Sequence, residues 1–185
     1  MITLSEIAKT PTLLASKLRK LEMQGRFNAA LQCCLEVAGG KAYIPALEGT
    51  SPREQAELLL RYGALIGFFG HSSQVVNSQE QSKDLLTKAL AEYIDLGDEQ
   101  KIAECENYIA LAYWRLGELN EATVWLESST ARVSPKRSYA RLHRYIVASL
   151  VNIDRKHFQE NIELFTGLEN DFLLSGNDLL SGMYF

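Results

Sequence analysis

Apolar positions recur at helical spacing along most of the chain, in pairs of short amphipathic stretches separated by turn signals. The clearest pair is Ala103 to Ser129, AECENYIALAYWRLGELNEATVWLESS. Before Gly117, the residues Ile109, Ala110, Tyr113 and Trp114 recur at i, i+1, i+4 and i+5; after it, Ala122, Trp125, Leu126 and Ser129 recur at i, i+3, i+4 and i+7. Each half therefore carries one apolar face, and two short helices cannot bury such faces without neighbours. The same grammar opens the chain, with Leu14, Leu18 and Leu21 before Gly25 and with Phe27, Ala30, Cys34 and Val37 after it.

Start and stop signals divide the rest. Thr3 with Glu6 forms a capping-box pattern, and Thr10-Pro11 offers a second helix start. Gly39 to Thr50 reads as a linker, because paired glycines end a helix and Pro45 prevents an uninterrupted new one. Ser51-Pro52-Arg53-Glu54 is the strongest helix start, with an N-cap serine, an N1 proline and an N3 glutamate. Gly63 and Gly70 in the helix that follows point to close helix approach, and His71 to Asn77 reads as an insertion before a second helix from about Ser78 to Ile94. Ser134-Pro135 starts a fourth pair, which turns near Asp154 to His157, and Asp171 to Phe185 reads as one last helix without a second after it.

Small Ala110, aromatic Tyr113, turn Gly117 followed by Glu118, small Ala122 and bulky Leu126 together resemble a tetratricopeptide (TPR) repeat. Ser82 and Ala122, like Ala89 and Ser129, lie 40 residues apart. That period, with the Leu96-Gly97-Asp98 loop, resembles the longer repeats of bacterial signal-transduction proteins and animal polarity adaptors. The resemblance implies an all-α fold, a right-handed superhelix (α-solenoid) of antiparallel helix pairs. It would be a single domain over residues 1-185, with units at about 11-38, 52-96, 101-132 and 135-169 and a partial one at 171-185.

In such a superhelix the first helices of successive units line a concave groove that holds a peptide or helix of a partner. The matching places are Arg19, Glu22 and Met23; Leu60, Ala64 and Phe68; Asn107, Leu111, Trp114 and Arg115; and Tyr145, Ser149 and Asn152. Phe68, Trp114 and Tyr145 suit an inter-repeat core as well as a groove, and Arg115 beside Trp114 makes the natural hot-spot pair. A solenoid normally ends in a polar capping helix. An end on Met183-Tyr184-Phe185 implies a fragment of a longer protein, a partner that covers it, or a homodimer through the C-terminal helix.

Composition narrows the function. With 185 residues, 46% of them hydrophobic and 23% charged, the chain can bury a sizeable core. Net charge of -4 and a pI near 5.5 disfavour nucleic acid and anionic membranes as partners. The N-terminus lacks a basic region followed by an apolar stretch, and the apolar run Tyr62 to Gly70 is too short to span a bilayer, so the expected location is cytoplasmic. Cys33, Cys34 and Cys105 lack metal-type spacing and read as reduced, small hydrophobes.

His71, His143 and His157 fall in no catalytic motif, and Glu104, Glu106, Glu118 and Glu121 read as solvated helix-surface carboxylates. No enzyme activity, cofactor or metal is expected. Arg132, Lys136, Arg137, Arg141 and Arg144 fall within 13 residues that contain no acid, three of them at i, i+4 and i+7. They suit either a solvated face balanced by acidic helices or arginine forks for an acidic segment or phosphate. The expected function is a protein-protein interaction scaffold, a regulatory or sensory segment of a larger signalling or transcription protein, whose partner is another protein or another domain of the same polypeptide. The rival is a DNA-binding regulator acting through a basic helix at 132-144.

Overall fold

The computed structural model describes residues 10-37, 49-133 and 138-184, and every regular element among them is a helix. In chain order these are α1 (Pro11–Met23), α2 (Phe27–Val37), α3 (Pro52–Ser72), α4 (Ser78–Asp95), α5 (Glu99–Arg115), α6 (Leu119–Arg132), α7 (Tyr139–Asp154), α8 (Phe158–Phe165), α9 (Glu169–Leu173) and α10 (Asp178–Tyr184). The stretch expected as one domain divides into two compact units, Met1–Leu96 and Gly97–Phe185.

In the first unit, α1 starts at Pro11 behind an extended Thr10 and buries the stripe Leu14, Leu18 and Leu21. The start of α3 is the full capping box: Ser51 Oγ accepts from the Glu54 amide at 3.4 Å, and Glu54 Oε2 accepts from the Ser51 amide at 3.0 Å. Glu54 also accepts from Thr12 Oγ1 of α1 at 2.5 Å, and Arg61 of α3 donates to Glu22 of α1 at 2.6 Å. The two pairs advance together along both helices, so α1 and α3 run parallel. Between α3 and α4 the pairs run in opposite senses, Tyr93 with Glu57, Ser82 with Gly63 and Gln79 with Gly67, so these helices form an antiparallel hairpin.

The glycines of α3 permit that approach. A Cβ on Gly63 would lie 2.7 Å from Leu86 Cγ, and one on Gly70 would lie 2.0 Å from Ser78 Cβ. The backbone carbonyls at positions 63 and 67 lie open to the Ser82 hydroxyl (2.7 Å) and the Gln79 amide (2.9 Å).

In the second unit, α5 and α6 form a hairpin and α7 packs on both. Asp98 caps α5, and eleven successive residues of that helix, Ile102 to Ala112, are buried. Asn107 sits at the centre: its Oδ1 accepts from Ser129 of α6 at 2.7 Å and its Nδ2 donates to the Ala140 carbonyl of α7 at 2.8 Å. With Trp114 of α5 donating to Asp154 of α7, these contacts set α5 and α7 parallel. Leu142, Ile146, Leu168, Phe172 and Leu180 form a second core, flanked by Tyr139, Tyr145, Phe165 and Tyr184.

Several boundaries differ from expectation. The stretch His71 to Asn77 is not wholly an insertion, because α3 continues to Ser72 and Gln74 and Asn77 take left-handed conformations in the short turn that remains. The expected start at Ser134-Pro135 lies outside the described residues, and α7 begins at Tyr139 behind Ser138, whose Oγ accepts from the Arg141 amide. The turn after α7 has no glycine because Lys156 itself takes a positive φ of 63°. The single helix expected over residues 171-185 is instead two, interrupted after Leu173; Gly176 turns the chain with φ +66°, and Asn177 Oδ1 accepts from the Leu180 amide at 2.9 Å. The Thr3 capping box and most of the Gly39 to Thr50 linker lie outside the described residues.

Candidate functional site

Polar and aromatic side chains of α5 and α7 gather at two places along this parallel pair. At the C-terminal end, the Trp114 indole Nε1 donates to Asp154 Oδ2 at 2.7 Å, and both side chains reach solvent. Arg115 beside it is half-buried, and burial pulls its guanidinium down to about 10. Where the start of α7 meets the middle of α5, the hydroxyls of Tyr108 and Tyr139 are hydrogen-bonded to each other, and the buried His143 ring lies 4.4 Å from Tyr108 and 5.4 Å from Tyr139. Trp114, Arg115 and Asn152 remain partly exposed.

Other groove candidates are withdrawn from any such surface. Asn107 is 0% exposed and spends both ends of its amide inside the unit, and Leu111 is core. Glu22 is buried against Arg61; Leu60 and Ala64 belong to the core of the first unit, and Ser149 is buried in the second. Phe68 stacks on Phe27 of α2, ring centroids 4.2 Å apart and 13° between planes, so it packs one helix on another. Arg19 and Met23 stay half-buried. Tyr145 flanks the Leu142 core and carries the guanidinium carbons of Arg141 and Arg144 over its ring at 5.4 and 4.7 Å.

Among the described residues, two members of the basic patch are held by internal ion pairs. Arg132 bridges Glu99 at 2.7 Å and Glu106 at 3.2 Å, and Arg141 bridges Asp171 at 2.7 Å. The Glu99 hydrogen bond raises the Arg132 pKa. Arg141 is also raised: its burial acts downward, but the bonds to Asp171 and Tyr145 outweigh it. Lys136 and Arg137 lie outside the described residues. Glu104 and Glu106, expected as solvated carboxylates, are buried. Burial pushes Glu106 up, against the bonds it accepts from Ser128 and Arg132.

Comparison with family models, characterised proteins and solved structures returns no match. Among the described residues no three His, Cys, Asp or Glu side chains gather in a metal-holding group, and no helix is long and apolar enough to cross a membrane.

Some of what the structure brings together has no local signal. Asp154 pairs with Trp114 across 40 residues, and Arg155 donates to the Leu119 carbonyl and to Asn120 Oδ1, closing the end of α7 against the start of α6. The stripe Phe158, Ile162 and Phe165 is a different case, since its i, i+4, i+7 spacing is legible in the sequence while the exposure of Phe158 and Ile162 is not.

Proposed function

We propose that this chain is a TPR-like α-solenoid scaffold that holds a peptide or helix of a protein partner, and that it serves in the cytoplasm as a regulatory segment of a larger signalling or transcription protein. What supports the reading is the relation between first helices of successive hairpins. In each unit these helices run parallel, and they touch through residues about one repeat apart: Thr12 with Glu54 at 42 residues, Trp114 with Asp154 at 40. Stacked hairpins of this kind present a preformed surface, so a partner binds without the scaffold losing much conformational freedom.

The part-exposed Trp114 and Arg115 are the anchors of that surface. A peptide library selected against the full chain should yield binders whose affinity falls about tenfold or more in a Trp114→Ala variant. A selection that enriches nothing above background would defeat the scaffold reading. The DNA-binding alternative is weakened by the ion pairs that hold Arg132 and Arg141, and a salt-steep affinity for duplex DNA would restore it.

A further inference from the structure

We propose that α8 and the two short helices after it dock a basic amphipathic helix of a partner protein, with Phe158 and Ile162 as the apolar anchors. The proposal rests on the scaffold reading and assigns it a second surface and a partner chemistry.

The first observation is an amphipathic helix whose apolar stripe is only half covered. Phe158, Ile162 and Phe165 stand at i, i+4 and i+7 on α8, so they share one face. Phe165 is packed, with its ring centroid 6.1 Å from Phe172 and 5.4 Å from Tyr184. Phe158 is 58% exposed and Ile162 is 64% exposed, and α8 has no buried residue. Leu173 and Leu174 at the end of α9 and Met183 on α10 are exposed as well. Adjacent large apolar side chains left exposed on one face, as Phe158 and Ile162 are, mark an interaction surface, whereas single ones need no explanation.

The second observation is charge. Lys156 is the last basic side chain in the sequence: His157 to Phe185 contains no Lys or Arg and five acids, Glu160, Glu163, Glu169, Asp171 and Asp178. Arg141 engages Asp171, while Glu160, Glu163, Glu169 and Asp178 are exposed. An apolar stripe set among carboxylates complements a helix with leucine-like residues on one face and lysine or arginine along its edges. The same charge opposes the other occupants. A second copy apposing this face would bring carboxylates against carboxylates, and an anionic bilayer would be repelled.

The test measures binding of a fluorescent Leu/Lys amphipathic peptide of about 18 residues to the full chain by anisotropy. Its Leu/Glu counterpart and a scrambled Leu/Lys peptide serve as controls. The Leu/Lys peptide should bind, the controls should not, and affinity should fall with salt. The double variant Phe158→Ser/Ile162→Ser should weaken binding about tenfold or more at unchanged helical content, which the exposure of both side chains permits. Glu160→Gln/Glu163→Gln should weaken binding and flatten the salt dependence.

Equal binding of the Leu/Glu peptide, undiminished binding by the Ser double variant, or a dimer in light scattering that this variant dissolves would each overturn the proposal. If affinity is lost in Trp114→Ala and kept in the Ser double variant, the docking surface is wrong and the scaffold reading stands. If a peptide library also finds no binder for the full chain, both fail.

Discussion

Arg61 of α3 donates to Glu22 of α1 at 2.6 Å, with side-chain exposures of 1% and 6%. Glu57, one turn earlier on α3, lies 3.1 Å from the same guanidinium and accepts from the Tyr93 hydroxyl. Arg61 thus ties together three helices of the first unit. Replacing Glu22 by Ala leaves a buried cation with one carboxylate instead of two, and it should cost about 3 kcal/mol in urea unfolding. The double change Glu22→Leu/Arg61→Met removes the charge problem and should recover most of that loss. An unfolding midpoint of Glu22→Ala equal to that of the parent would mean that Glu57 alone compensates the cation.

Gly63 and Gly70 reverse the usual sign of a helix substitution. By intrinsic propensity, alanine inside a helix is favoured by up to about 1 kcal/mol over glycine. Here a methyl at position 70 would meet Ser78 Cβ at 2.0 Å and one at position 63 would meet Leu86 at 2.7 Å. Both alanine variants should destabilise, by about 1–3 kcal/mol, because overpacking outweighs propensity. Gly63→Ala should be the milder, since its shortest contact would be 2.7 Å against 2.0 Å at position 70. Thermal unfolding of the two variants checks sign and order together.

Cys33, Cys34 and Cys105 are all buried. Burial, with Cys33 as a neighbour, pushes the Cys34 thiol up to about 12, and burial likewise raises Cys33. Since the thiolate is the reactive form, an aromatic disulfide reagent at mildly alkaline pH should leave both thiols unmodified in the native protein and titrate all three cysteines in denaturant. Fast native reaction at Cys34 would show that the α2 packing opens readily.

Glu54 is exposed, yet the hydrogen bond from Thr12 and those from Ser51 hold its carboxyl down to about 2, against an ordinary value of 4.5. A carboxylate with a depressed folded pKa stabilises above its unfolded value, and that contribution disappears as pH falls through the folded one. The stability difference between the parent and Glu54→Gln should therefore be constant above about pH 5 and shrink between 4.5 and 2. Thr12→Val should move the Glu54 titration, followed by carboxyl NMR shifts, back toward the ordinary range. A parent Glu54 that titrates near 4.5 would contradict the α1–α3 link.

Local signals carried some of this architecture and distant partners decided the rest. Ser51-Pro52-Glu54 announced the start of α3 with every atom of its capping box, because all participants lie within four residues. Gly63 and Gly70 signal close packing by residue type alone, while the partners they admit, Leu86 and Ser78, lie 23 and 8 positions away. Glu22 and Glu106 read as surface residues, since what makes them internal is an arginine 39 or 26 positions away. Asn107 looked like a groove residue for lack of any sign that Ser129 and Ala140 would occupy its amide. The Ser175-Gly176-Asn177 turn lies within the stretch that reads as one helix, and Lys156 takes a conformation for which no residue-type signal exists.

The burial of α5 also sets how the second unit opens. A helix with eleven successive residues covered on every side cannot lose its amide hydrogen bonds by fraying; its neighbours must leave first. At the other extreme α8 has no buried residue and is tied to the core mainly through Phe165. Amide exchange should accordingly be graded, fast over Phe158 to Phe165 and slowest over Ile102 to Ala112. The end of the unit that bears the uncovered apolar stripe is then also the end that detaches at least cost. A partner seated there would be felt as slowed exchange in α8, with the amides of α5 unchanged.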